Sequence, residues 1–126
     1  MNKIDTHSAP AAIGPYSQGM ARDGIVYTSG QLPLVPSTMA FPEGGIAEQT
    51  RQSLENLKAV LEAAGASMNT VIKTTCFLSD MTDFNEFNKV YESYFGSEMA
   101  PARSCIQAGR LPKDALVEIE AIAYKK

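Results

Sequence analysis

The last quarter of the chain carries the pattern that most restricts the fold. Residues 101–124 read as two extended stretches, one over about 103–108 and the other over about 115–124. A turn is predicted between them, because glycine and proline interrupt strands. The residues that mark this turn are Gly109, Pro112, Lys113 and Asp114.

Strand side chains alternate between two faces, so the second stretch has one apolar row and one mixed row. The apolar row is Val117, Ile119, Ala121 and Ala123, and the mixed row is Leu116, Glu118, Glu120, Ile122 and Tyr124. Two carboxylates within a buried row would need a cation, a water or a substrate, since burying an unpaired charge is costly. Arg103, on the same face of the first stretch as Cys105 and Gln107, is the candidate partner. A purely structural Arg–Glu pair, or a solvated sheet edge, is the alternative.

Helical periodicity occurs in two other stretches. Leucines at helical spacing predict a helix over residues 46–64, and aromatic residues at the same spacing predict a second over 84–95. A glycine follows each stretch, where helices commonly end. Asp83 and Glu86 are spaced as a capping box for the second helix.

The order of the elements predicts a single α+β domain spanning residues 1–126. Residues 17–21 and 25–29 read as a hairpin around Asp23-Gly24, and residues 71–78 have strand composition. Two helices suffice to cover one face of a single sheet, yet the strands are apolar on their other face as well. We therefore expect a homo-oligomer in which sheets pack against each other.

Composition excludes several classes of function. The net charge of −3 and a pI near 5.1 disfavour a nucleic-acid binder, which needs a basic surface. His7 is the only histidine and lies near the N-terminus, which makes a His-containing catalytic triad improbable. A His-based zinc site would lack ligands for the same reason. There is no phosphate-binding glycine motif. The available chemistry is that of carboxylates, Arg, Lys, Tyr, Ser, Cys and backbone groups.

The cysteines and the hydropathy pattern predict a cytoplasmic location. The N-terminal stretch lacks the apolar core of a signal peptide, and no run of apolar residues is long enough to cross a membrane. Cys76 and Cys105 fall within predicted strands, so both thiols are expected to be free in a reducing compartment.

Six stretches together resemble the RidA (YjgF/L-PSP) family of enamine/imine deaminases, almost from end to end. The segment PARSC followed by a VEIEAIA strand is the most specific part of the resemblance. The stretches are AIGPYSQG, YTSGQLP, QTRQSLENLKAVLEAAG, VIKTTCFLSDMTDFNEFNKVY, PARSCIQAGRLP and VEIEAIA.

The resemblance implies a chorismate-mutase-like homotrimer, with the sheets forming a central barrel and three sites between subunits. It also implies hydrolysis of 2-aminoacrylate and 2-aminocrotonate, the reactive products of pyridoxal-phosphate-dependent serine and threonine dehydratases. No metal and no cofactor are implied, and neither a nucleic acid nor a membrane is an expected partner.

The family's functional residues carry over onto matching positions of this sequence. Arg103 would hold the substrate carboxylate, and Glu118 would orient or deprotonate the attacking water. Cys105 and the Ser29-Gly30 corner would line the site, and Tyr16 would close it from a neighbouring subunit. Before the resemblance is considered, a tyrosine after Gly-Pro reads as a packed anchor.

Two departures from the family pattern flank the expected cleft. Met39 stands where relatives usually carry a turn glycine, and residues 95–100 form a shorter loop before Pro101 than in relatives. Both concern the preferred substrate side chain more than the reaction type. A metabolite-binding module for 2-oxo acids and a ribonuclease are the competing functions.

Overall fold

The computed structural model describes residues 1–126 as one mixed sheet with two helices. The helices are α1 (Ile46–Ala63) and α2 (Phe84–Phe95). The strands are β1 (Asn2–Ile4), β2 (Gly19–Arg22), β3 (Ile25–Thr28), β4 (Val71–Leu78), β5 (Ala102–Gln107) and β6 (Val117–Tyr124). Their order across the sheet is β1-β2-β3-β6-β4-β5. The predicted α+β class is confirmed.

Helix α1 forms where the leucine spacing predicts it. Leu54, Leu57 and Leu61 are fully buried beneath it. At its start, the Glu48 carboxylate accepts a 2.8 Å hydrogen bond from the backbone N–H of Gly45, which satisfies one of the donors left free at a helix N-terminus. The helix thus covers the core side of the sheet with an apolar stripe.

The start of α2 differs from the predicted capping box. Asp83 makes no side-chain cap, because a 3₁₀ turn over Met81–Asp83 already gives it helical backbone angles. The cap belongs to that earlier turn, where Asp80 Oδ1 accepts from the backbone N–H of Thr82 at 2.9 Å. A capping residue must have extended backbone, and Asp80 has it.

The two rows of β6 separate as the alternation predicts. Val117, Ile119, Ala121 and Ala123 are buried against the helices, and together with the leucines of α1 they form the core. Glu118 and its row lie on the opposite face of the sheet, which no helix covers. We call this the open face. Exposed apolar side chains on the open face include Tyr27, Ile106 and Tyr124.

The arrangement of β5 and β6 corrects the expected pairing of Arg103 with the glutamates. The two strands are not neighbours, because β4 lies between them, parallel to β5 and antiparallel to β6. Thr74 of β4 is in register with both Arg103 and Ala121. Residues in register share a face, so Arg103 lies on the helix face, opposite Glu118.

The N-terminus is part of the sheet, which the sequence did not indicate. β1 pairs with β2 through Lys3 and Met20. A three-residue strand is too short to show periodicity, so it leaves no sequence pattern. No helix in the structure is long and apolar enough to cross a membrane. Both cysteines are free thiols, as expected.

Candidate active site

The largest cleft opens beside Glu118 on the open face and has a volume of about 620 Å³. Four of the predicted site residues, Tyr16, Ser29, Gly30 and Glu118, line it together with Glu120. A cleft of this size that combines apolar walls with a few convergent polar groups is typical of a small-molecule site.

The backbone around Gly30 fixes the position of Glu118. Gln31 and Ile119 exchange backbone hydrogen bonds of 2.7 and 3.2 Å, which bring the chain after β3 alongside β6. A Cβ atom built on Gly30 would lie 2.7 Å from the Glu118 carboxylate. The Ser29 hydroxyl donates a 2.5 Å hydrogen bond to the carbonyl of Ser17, so its role here is to hold this corner. Only a glycine allows so close an approach of backbone to carboxylate.

The environment of Glu118 shifts its ionisation to higher pH than that of a solvated glutamate. Partial burial, and secondarily the neighbouring Glu120 carboxylate, raise the pKa of Glu118 above its usual range. No Lys or Arg forms a salt bridge with either glutamate. A carboxylate whose pKa is shifted toward neutrality within a cleft is suited to general-base chemistry.

A buried glutamine builds the wall of the cleft that contains Tyr16. The Gln18 side chain donates to the carbonyls of Thr6, Ala9 and Pro10 at 3.0, 3.3 and 2.8 Å, and accepts from the backbone N–H of Thr6 at 2.7 Å. Gln18 is 2% exposed. Nothing in the sequence distinguishes this residue, because the carbonyls that it binds are brought together only by the folded loop.

Arg103 has a separate setting on the helix face. Its Nη1 donates to Asn88 Oδ1 at 2.7 Å. Its guanidinium carbon lies 4.8, 5.5 and 5.9 Å from the ring centroids of Tyr91, Phe84 and Phe87. Cation–π contacts at these distances hold the head group in place. The side chain remains exposed at a shallow hollow and keeps N–H groups free for an anion.

Asn88 was not predicted from the sequence, although a signal for it exists. It falls four residues after Phe84 and three before Tyr91, so it lies within the aromatic stripe of α2. A polar residue on an apolar helical stripe has to meet a polar partner, and here that partner is Arg103.

Cys105 lies on the same face as Arg103 but is not an activated nucleophile. Burial raises its pKa, an effect that nearby Arg103 only partly offsets. Cys76, in register with it on β4, is fully buried, and desolvation raises the pKa of that thiol to about 12. Thiolates are the reactive form, so both residues are chemically quiet. Cys105 lines neither the Glu118 cleft nor the Arg103 hollow.

The predicted site residues therefore divide into two groups within one chain. Tyr16, Ser29, Gly30 and Glu118 share the cleft on the open face, whereas Arg103 and Cys105 lie on the helix face. The sheet separates the two groups, so one chain does not bring Arg103 and Glu118 to one ligand. No cluster of three His, Cys, Asp or Glu side chains is placed to hold a metal ion.

Comparison with known proteins assigns the family. Residues 6–125 match the family described as endoribonuclease L-PSP. The chain is 50% identical over 125 residues to the 2-iminobutanoate/2-iminopropanoate deaminase of Salmonella typhimurium, which covers 98% of this chain and 97% of that protein. It is 54% identical over 123 residues to a RutC family protein of Pyrococcus horikoshii, covering 98% and 97% of the two chains.

Solved structures give the same assignment. The crystal structure of Escherichia coli TdcF with bound serine is 47% identical and superposes with a TM-score of 0.93 over 100% of both chains. The structure of the Escherichia coli YjgF gene product gives the same three values. The fold and its acid-lined cleft define an α+β protein of the YjgF type. The chain belongs to the L-PSP (RidA/YjgF) family.

Proposed function

We propose that this protein hydrolyses reactive enamine/imine intermediates, 2-aminoacrylate and 2-aminocrotonate, to 2-oxo acids and ammonia. The main structural support is the Glu118 carboxylate, which lies against the Gly30 backbone in the cleft and has a raised pKa. Relatives that share about half of the sequence over nearly the full chain bear the name 2-iminobutanoate/2-iminopropanoate deaminase. That name supports the same activity here.

The complete site is proposed to form between two copies of the chain. Arg103 and Glu118 lie on opposite faces of the sheet, so a substrate that meets both must contact two subunits. The open face carries the apolar side chains Tyr27, Ile106 and Tyr124, which are each about half exposed in the isolated chain. Packing these faces against each other in a homotrimer would bury them. Sedimentation of a monomer at micromolar concentration would contradict this assembly.

Arg103 is proposed to bind the substrate carboxylate. Asn88 Oδ1 accepts a hydrogen bond from one N–H group of the guanidinium. The remaining N–H groups lie in the same plane and suit a two-pronged contact with a carboxylate. The aromatic rings of α2 limit the motion of the head group, so less entropy is lost when the substrate binds.

Glu118 is proposed to position and deprotonate the attacking water. The enamine tautomerises to an imine, whose carbon is electrophilic once the nitrogen is protonated. Water adds to that carbon, the carbinolamine collapses, ammonia leaves and the 2-oxo acid remains. The remaining barrier is modest, so orientation of the carboxylate and the water can supply much of the acceleration. A covalent role for Cys105 is not needed, in keeping with its raised pKa.

A metabolite-binding module for 2-oxo acids is the alternative, since Arg103 would serve it equally well. A ribonuclease is less consistent with the structure, although the family description includes that activity. His7 lies exposed outside the Glu118 cleft, and the cleft contains two carboxylates with Lys113 as its only cation. Phosphodiester cleavage usually needs cationic stabilisation of the developing charge.

A coupled assay tests the proposed activity. A threonine dehydratase generates 2-aminocrotonate in place, and the release of 2-oxobutanoate is timed with and without this protein. Faster release supports the proposal. No acceleration by the intact oligomer would favour the binding module. The proposed deaminase is expected to work in the cytoplasm, beside the dehydratases that release its substrates.

The pH dependence of the reaction should report Glu118. Because the base must be ionised, kcat/KM should fall as the pH drops through the raised pKa of Glu118. Replacing Glu120 by glutamine removes a neighbouring negative charge, so the acidic limb should move to lower pH. An acidic limb that does not move in Glu120→Gln would contradict this electrostatic account.

Gly30→Ala should displace Glu118, because the new methyl group would occupy space within 2.7 Å of the carboxylate. A shift of about 1 Å can cost roughly 100-fold in rate, so we expect a loss of that order in kcat. Gly109→Ala is the matched control, since no atom lies within 4 Å of its added Cβ and its φ lies outside the left-handed region. Activity of Gly30→Ala equal to that of the control would contradict the proposed role of the corner.

A further inference from the structure

Met39 has a backbone conformation that is unusual for its residue type. Its φ angle is 57°, in the left-handed region that glycine adopts freely and side-chain-bearing residues rarely do. Residues held in this region persist only where the surrounding structure enforces them, and they cluster at functional sites. Met39 is one of the residues that line the Glu118 cleft.

A tight turn enforces this conformation. The backbone N–H of Val35 donates to the carbonyl of Ala40 at 2.8 Å, and the N–H of Met39 donates to the carbonyl of Val35 at 2.7 Å. The buried Asn56 of α1 anchors the chain just before the turn, since its Nδ2 donates to the carbonyls of Leu32 and Leu34 at 2.9 and 2.8 Å. The position of the methionine is therefore built into the fold.

Met39 belongs to a group of apolar residues on one side of the cleft. Leu32 and Leu34 line the cleft from the segment that Asn56 anchors, and Ile13 lines it from the N-terminal loop. Glu118 and Glu120 supply the polar side. In the single chain, a cleft of about 620 Å³ lies in the range that holds ligands much larger than a four-carbon acid.

We propose that Met39 is a specificity-determining residue that contacts the substrate side chain and favours 2-imino acids with longer apolar side chains. This inference rests on the proposed deaminase function. Methionine suits such a wall, because its unbranched thioether adapts to side chains of different shape. Each methylene placed against an apolar wall changes selectivity by roughly tenfold or more.

The test uses 2-imino acids generated in place from L-leucine or L-alanine by an L-amino acid oxidase with catalase. We expect Met39→Ala to lower kcat/KM for the leucine-derived imine about tenfold. The kcat/KM for the alanine-derived imine should change less than about twofold. Met39→Leu, which restores an apolar wall, should remain near the original protein. Met39→Gly also removes the side chain but adopts this backbone conformation without strain. Equal selectivity in Met39→Gly and Met39→Ala would therefore assign the effect to the side chain.

Equal losses on both substrates, or no loss on either, would overturn the inference. Binding of 4-methyl-2-oxopentanoate and of pyruvate to the same variants gives a readout that needs no turnover. A selective loss of the larger acid in Met39→Ala supports the contact, and unchanged binding of both acids refutes it. Failure of the original protein to accelerate either imine would instead count against the deaminase proposal.

Discussion

Arg103→Ala should lose on the order of 10²–10³-fold in kcat/KM, because the proposed charge-assisted, two-pronged contact with the substrate carboxylate would disappear. The fold should be retained, since the Arg103 side chain is exposed and the substitution removes only its contacts with the outer side of the α2 rings and with Asn88. The measurement is the coupled dehydratase assay, with thermal melting and sedimentation as checks on folding and assembly.

Arg103→Lys is the informative control. Lysine keeps the charge but lacks the planar fork and stacks less well on aromatic rings, so it should recover only part of the activity. Asn88→Ala removes the 2.7 Å contact that holds the guanidinium and should cost less than Arg103→Ala. Full activity in Arg103→Ala would exclude this residue as the carboxylate anchor.

Glu118→Gln should lower kcat by roughly 10²–10⁴-fold, the range of general-base contributions, because the amide cannot accept the proton of water. Binding of a 2-oxo acid should persist, since the proposed carboxylate contact belongs to Arg103. The substitution is nearly isosteric and removes a partly buried charge, so stability should not fall.

This variant also separates the two candidate functions. Calorimetric titration with 2-oxobutanoate and the coupled assay are performed on the same preparation. Loss of turnover with retained binding supports the deaminase. Retained turnover would remove Glu118 from the mechanism, and an original protein that binds 2-oxo acids without any turnover would indicate the binding module.

Helices and strands could be predicted from the sequence where a periodic pattern of apolar residues extends over eight residues or more. Strand β4 and helix α2 have the predicted bounds, and the alternation along β6 separates core from open face as expected. The strand order could not be predicted, because pairing depends on contacts between distant residues. Arg103 was therefore expected beside the glutamates, whereas β4 lies between the two strands.

The candidate site could be predicted from the sequence only in part. Glu118 could be identified because a carboxylate within an apolar strand is visible in the sequence of that strand alone. Gln18 and Asn88 could not be identified in this way. Gln18 binds carbonyl groups of the N-terminal loop and Asn88 binds the Arg103 guanidinium, and only the fold brings these partners together. The division of the site between two faces of the sheet is likewise a property of the register.

Complementation between two inactive variants tests most directly whether each site is shared by two chains. Arg103→Ala and Glu118→Gln chains, each nearly inactive alone, are co-expressed with different tags, and the hybrid oligomers are verified by native mass spectrometry. In a closed ring with random mixing, about a quarter of the interfaces pair an intact Arg103 with an intact Glu118, so about a quarter of the original activity should return. Verified hybrid oligomers with no regained activity would contradict the shared site.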